Sequence, residues 1–175
     1  MKKYLFACLI GAALSAPAYA AGPYVGLGIH AYDGGVSKGN EGALKLFGGY
    51  DFTNTWGVEA GLPGTPDYNA QDASFRPLGT AKGNLVYIAG KATMAISDRW
   101  SLVTKLGLAH SRLHFDGPRG GHESTTGLYA GIGIKYAMTQ KVTVTLELER
   151  FGRQPQHSYG GPKRESVSLN IGYSF

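Results

Sequence analysis

The chain has 175 residues and one cysteine, and its 17 lysines and arginines outnumber 12 carboxylates to leave a formal net charge of +5. That length suits one domain, the lone cysteine excludes a disulfide framework, and the charge is too small and too dispersed to indicate nucleic acid. Charged residues are only 17% while glycine reaches 27 and tyrosine 11, which argues against a helical protein, and no window after Ala20 approaches 18 apolar residues, so no membrane helix is expected.

Residues 1–20 read as a signal peptide removed on export. Lys2 and Lys3 form a basic start, Leu5 to Leu14 is apolar, and Ala18, Tyr19 and Ala20 offer a small-x-small cleavage site. Cys8 leaves with it, and the net charge falls from +5 to +3 as the two lysines go. The expected mature domain is residues 21–175.

Period-two alternation then marks eight strands, near residues 23–31, 42–52, 56–62, 85–96, 100–115, 125–137, 142–151 and 165–175. The last is the clearest: Val167, Leu169, Ile171, Tyr173 and Phe175 alternate with Ser166, Ser168, Asn170, Gly172 and Ser174. Thr53, Asn54 and Thr55 make a tight turn, as do Ser97, Asp98 and Arg99, and Met138 to Lys141. Long polar connections are expected near 32–41, 63–84, 116–124 and 152–164. Short and long connections alternate, as in outer-membrane barrels with short periplasmic turns and long outer loops. The expected fold is all-β: an eight-stranded antiparallel up-and-down transmembrane β-barrel with both termini periplasmic.

Parity assigns the faces. Val25, Leu27, Ile29, Leu44, Leu46, Val58, Ile88, Leu106, Leu128, Ile132, Leu146 and Leu148 share one face, and the other carries glycines and charges. A secreted soluble barrel would fill its interior with the apolar set. Two features favour lipid on that side instead. Tyr50, Phe52, Trp56, Trp100, Tyr136, Tyr173 and Phe175 gather beside the short turns as an aromatic girdle. The opposite face is rich in charge: Lys45, Glu59, Lys91, Lys105, Lys135, Glu147 and Glu149. An eight-stranded bore has room only for its own side chains, so these charges must pair, giving a Lys–Glu network that plugs the lumen. A weak ion path through rearranging pairs is the alternative.

Near the outer rim, Arg112 and Arg150 have lipid-facing parity and could meet lipopolysaccharide phosphates. His157, Ser158 and Glu165 are a weak candidate for lipid A deacylation, since a His–Ser–acid set can activate a hydroxyl, but their spacing departs from that of the deacylase PagL. His30, His110, His114, His122 and His157 lack metal-ligand spacing. No metal or cofactor is expected.

From Lys105 onward the chain resembles the transmembrane domain of the OmpA family. The carriers are Gly131-Ile132-Gly133-Ile134-Lys135-Tyr136-Ala137-Met138-Thr139, Leu146-Glu147-Leu148-Glu149-Arg150-Phe151 and Ser168-Leu169-Asn170-Ile171-Gly172-Tyr173-Ser174-Phe175. The resemblance implies a small structural or adhesive barrel of a Gram-negative bacterium, with the single-domain OmpX and NspA types as the nearer architectural analogy. It implies that Glu59, Lys91 and Glu147, with Lys105 or Lys135, correspond to the family's lumen cluster. It also makes Ile171, Tyr173 and Phe175 an assembly signal for the barrel-assembly machinery, to which the last strand would offer an open edge. Peptidoglycan anchoring, which belongs to a further domain in that family, is not carried over. The partners expected are outer-membrane lipids, lipopolysaccharide, the assembly machinery and a host or surface ligand at the loops.

Overall fold

The computed structural model describes residues 21–32, 42–64, 68–71, 77–116, 121–152 and 165–175. Nine strands follow in order: β1 (Gly22–Tyr32), β2 (Gly42–Asp51), β3 (Trp56–Pro63), β4 (Tyr68–Gln71), β5 (Pro77–Ala95), β6 (Trp100–Asp116), β7 (Gly121–Ala137), β8 (Val142–Phe151) and β9 (Glu165–Ser174). All pairings are antiparallel between sheet neighbours in the order β3-β2-β1-β9-β8-β7-β6-β5-β4. A further pairing of β3 with β5, from Trp56↔Ala92 to Gly61↔Tyr87, closes eight of the strands into a barrel. The first and last strands meet from Tyr24↔Ser174 to Tyr32↔Ser166. Closure leaves the barrel wall without a free edge, as a sheet in lipid requires.

The three short turns share one construction. Each opens with an apolar residue whose N–H donates to the carbonyl four positions on: Phe52 to Trp56 at 2.9 Å, Ile96 to Trp100 at 2.8 Å and Met138 to Val142 at 3.0 Å. A hydroxyl follows and accepts from the start of the next strand. Thr53 Oγ1 takes the Trp56 N–H, Ser97 Oγ the Trp100 N–H and Thr139 Oγ1 the Val142 N–H. Ser and Thr do this because the short side chain mimics a backbone acceptor.

At the opposite end the strands run further than alternation indicates. β5 begins at Pro77 rather than near 85, and β7 begins at Gly121 rather than near 125. The expected connections at 63–84 and 116–124 are therefore partly ladder: β4 pairs with β5 from Tyr68↔Ala81, and β6 with β7 as far as Phe115↔Gly121. Gly79, Gly83 and Gly121 read as turn residues in isolation, but backbone pairing does not depend on side-chain pattern. β3–β5 pairing ends at Gly61↔Tyr87 and β7–β8 pairing at Tyr129↔Phe151. Beyond those points β4, β5, β6 and β7 continue as a sheet that projects past the closed wall.

Several large inward side chains have a glycine across the ladder. Lys105 and Glu149 flank Gly131, Glu147 faces Gly133, Lys45 faces Gly28, and Tyr87 faces Gly61. A Cβ built on Gly61 would lie 2.6 Å from Tyr87 Cζ. Only a residue without a side chain leaves that space, which accounts for the glycine at this position in a narrow bore.

Candidate functional site

Inside the barrel, the inward parity of all eight wall strands converges on one network. Lys45 is 0% exposed; its Nζ lies 2.6 Å from Glu149 Oε1 and 3.3 Å from Glu147 Oε2. Lys105 Nζ bridges Glu59 Oε1 and Glu147 Oε1, each at 2.6 Å. Glu59 also accepts from Tyr24 Oη at 3.0 Å and Tyr87 Oη at 2.5 Å, and Glu149 accepts from Tyr129 Oη at 2.5 Å. Asn170 Nδ2 donates to Glu147 Oε2 at 2.9 Å. Buried charge is better tolerated when its remaining lone pairs and protons are also satisfied; these phenols and this amide supply additional hydrogen bonds, while Glu149 Oε2 has no partner among the described residues.

Lys91 and Lys105 sit directly opposite each other in the β5–β6 register. Like charges in that position repel, and the two ammonium groups take different carboxylates. Lys91 Nζ goes to Asp51 Oδ1 at 2.7 Å and lies 3.8 Å above the Tyr24 ring. A Lys–Glu account of the lumen is thus corrected for Lys91: its carboxylate is Asp51, from the end of β2. Lys135, on the same inner face, lines with Asp51, Lys91, Lys105 and Glu147 a cavity of about 60 Å³ in the short-turn half of the lumen.

Toward the long-connection end the lumen changes character. Leu85, Tyr87, Ala89, Ala109, Tyr129 and Phe151 form a buried apolar cluster. Tyr87 and Tyr129 stack with centroids 4.3 Å apart, and Phe151 packs on Tyr129 at 5.2 Å. Each tyrosine turns its hydroxyl down to a network carboxylate, so the aromatic layer and the charged layer are one structure. His30, 1% exposed, donates from Nε2 to the Gly64 carbonyl at 2.8 Å and ties β1 to the end of β3. Asp51, Tyr87, Tyr129 and Phe151 were absent from the charge-based expectation, although the parity that singles out Lys45, Lys91, Lys135 and Glu149 places them on the same inner face.

The outer wall is apolar. Leu27, Leu44, Ile88, Leu106, Leu128 and Leu148 are each more than half exposed. At the short-turn end Tyr50, Phe52, Trp56, Trp100 and Tyr173 are exposed and Tyr136 half-exposed, with Trp100 and Tyr136 in ring contact at 4.7 Å. Phe175 packs edge-on against Tyr173 at 5.4 Å, its N–H donating to the Pro23 carbonyl at 3.2 Å. Ile171 is exposed on the same face.

Arg112 and Arg150 both point outward, in different settings. Arg150 lies opposite Glu165 in the β8–β9 register, with Nε 4.0 Å from its Oε1. Arg112 Nε donates to His110 Nε2 at 3.2 Å, and His110 Nδ1 lies 2.8 Å from Thr126 Oγ1. Of the acyl-transfer candidates, His157 and Ser158 fall outside the described residues, while Glu165 is an exposed residue of the outer wall. Among the described residues no three His, Cys, Asp or Glu side chains are grouped to hold a metal.

A closed antiparallel barrel, apolar outside and charged within, defines a membrane-spanning β-barrel. Residues 4–175 match the family described as outer membrane protein beta-barrel domain, and the chain belongs to that family. Its place is the outer membrane. No curated protein is similar in sequence to this chain. Among solved structures it is similar in fold to Ail of Yersinia pestis, crystallised with the heparin analogue sucrose octasulfate, at 18% identity and a TM-score of 0.58 over 89% of this chain and 100% of that one. The N-terminal β-barrel domain of Pseudomonas aeruginosa OprF gives 15% identity and a TM-score of 0.60, with the same coverage of each chain. Neisserial surface protein A gives 14% and 0.51, over 87% of this chain and 96% of that one.

Proposed function

We propose that this protein is a sealed structural barrel whose work is done at its outer wall and at its long-connection end, through contacts with membrane lipid and with surface ligands. The observation that carries this reading is the filled lumen. Two layers lie across it, one of paired charge and one of stacked aromatic rings. Moving a solute through would require separating buried ion pairs, which costs several kcal/mol per uncompensated charge. In this reading residues 1–20 direct export and are removed, the short turns and both termini face the periplasm, and the projecting β4–β7 sheet and its connections face outward. Membrane stabilisation and adhesion are the roles such a scaffold serves. Ail binds a sulfated sugar analogue, and recognition of polyanions at the loop end is one form this contact would take here. Enzymatic activity finds no support in the placement of Glu165, which is exposed on the outer wall with its carboxylate beside Arg150.

Purified, refolded protein in planar bilayers should be silent under applied voltage, and a deletion strain should lose detergent resistance or surface adherence. Steady conductance from the wild type would overturn the sealed-barrel reading. The closing strand carries a second role in this proposal, as the segment offered to the assembly machinery. Phe175→Asp should reduce the heat-modifiable, inserted fraction in vivo severalfold, while leaving refolding into detergent intact. Equal insertion of that variant and the wild type would reduce Phe175 to a girdle residue.

A further inference from the structure

The outward face of β5, β6 and β7 ends its apolar belt abruptly. Ile88, Leu108 and Leu128 form one cross-strand row. The next row toward the long connections is Val86, His110 and Thr126, and the row after it is Asn84, Arg112 and Ser124. Asn84, Arg112, Ser124 and Thr126 are all exposed. A polar row immediately above lipid-facing leucines lies at the level of lipid headgroups.

Arg112 is not a loose cation in that row. Its Nε–H donates to His110 Nε2 at 3.2 Å, which requires the lone pair on Nε2 and therefore the proton on Nδ1. The Nδ1–H then donates to Thr126 Oγ1 at 2.8 Å. This chain orients the guanidinium through its inner nitrogen and leaves the terminal Nη fork as the end that faces away from His110. Such a fork matches two oxygens of a phosphate, in the charge-assisted geometry that makes arginine the preferred phosphate ligand. The flanking amide of Asn84 and hydroxyl of Ser124 are neutral donors and acceptors, suited to sugar hydroxyls. Arg150 has a different setting; among the described residues it is paired with Glu165, 4.0 Å away, whose charge would repel a phosphate.

We propose that Arg112, oriented by His110 and Thr126 and flanked by Asn84 and Ser124, binds the phosphate of a phosphorylated sugar headgroup on a membrane lipid. This inference rests on the reading of the outer wall as a lipid-contacting surface and adds to it a single site and a ligand chemistry. His110 is a positioning residue in it, acting through Arg112.

The test uses the refolded full chain in phosphatidylcholine nanodiscs containing lipid A, dephosphorylated lipid A or phosphatidylglycerol, with bound lipid counted by native mass spectrometry. Wild type should retain lipid A over both comparison lipids. Arg112→Gln should weaken retention about tenfold, the worth of a charge-assisted hydrogen-bonded pair. His110→Ala should give a smaller loss, partly restored by His110→Asn, whose amide oxygen can accept the Arg112 Nε–H. Arg150→Gln should match wild type. Equal loss in the Arg112 and Arg150 variants, or retention indifferent to the lipid's phosphate, would overturn the site; retention of phosphatidylglycerol equal to lipid A would overturn its sugar component. Conductance is read on the same preparations. A silent barrel whose lipid A binding ignores Arg112 removes the site and leaves the sealed scaffold standing, and a conducting barrel that binds through Arg112 does the reverse.

Discussion

Lys45→Met should lower the stability of the folded barrel by about 3–5 kcal/mol, the usual cost of removing one partner from a buried ion pair. Lys45 is fully buried between Glu147 and Glu149, and its ammonium is the only charged group within 4.0 Å of a Glu149 oxygen among the described residues. Methionine fills the same volume, so the loss is electrostatic rather than a cavity. Glu147 keeps Lys105 at 2.6 Å and Asn170 at 2.9 Å, but Glu149 keeps only the Tyr129 hydroxyl. Adding Glu149→Gln should recover much of the loss, because the orphaned charge goes with it. Urea titration of the barrel in lipid vesicles, followed by tryptophan fluorescence, measures both variants. A Lys45→Met midpoint equal to wild type would mean that water reaches Glu149 and that the lumen is wetter than the packing indicates.

Tyr87→Ala with Tyr129→Ala should make the barrel conduct ions. The two rings stack at 4.3 Å and carry Phe151 against them, forming the apolar layer above the charges. Their removal deletes two buried aromatic side chains, each worth about 3–5 kcal/mol in a packed core, with coupling between neighbours making the pair less than additive. It also withdraws the phenolic hydrogen bonds from Glu59 and Glu149. Water would then enter from the long-connection end and reach carboxylates and ammonium groups freed to exchange partners. Brief ion-conducting openings in planar bilayers are expected, against none in the wild type. If the double variant remains silent while folded, the Glu59–Lys105–Glu147 layer is the seal and the aromatic layer serves packing alone.

Much of this architecture is legible along the chain. The strands and the separation of an apolar set from the inward lysines and glutamates follow from period two, because a pleated strand sends successive side chains to opposite faces whatever its neighbours are; the girdle and the charged face then decide which set meets lipid. Thr53, Ser97 and Thr139 mark the turns through hydroxyl chemistry local to four residues. Where the expectation stopped short, the missing information was non-local. β5 reaches back to Pro77 because β4 and β6 pair with it there, and no pattern within 77–84 records that pairing. Asp51 sits at a strand end beside a turn and is not among the expected inward charges; register brings it within 2.7 Å of Lys91. Arg112 and Arg150 are alike in parity and differ in their company: His110 on the same strand, itself held by Thr126 across the ladder, for one, and Glu165 across the ladder for the other.

Alternation, read with the aromatic girdle and the charge on the opposite face, determined that this chain is all-β, which face meets lipid and which residues are inside. It could do so because those properties depend on each residue's own position in its strand. Only the tertiary structure decided which lysine holds which carboxylate, that tyrosines and a phenylalanine cap the charges, and that one rim arginine is oriented while the other faces an acid. Those are properties of register and closure, which bring together groups as far apart in sequence as Lys45 and Glu149, and a barrel sets them only when its first and last strands meet.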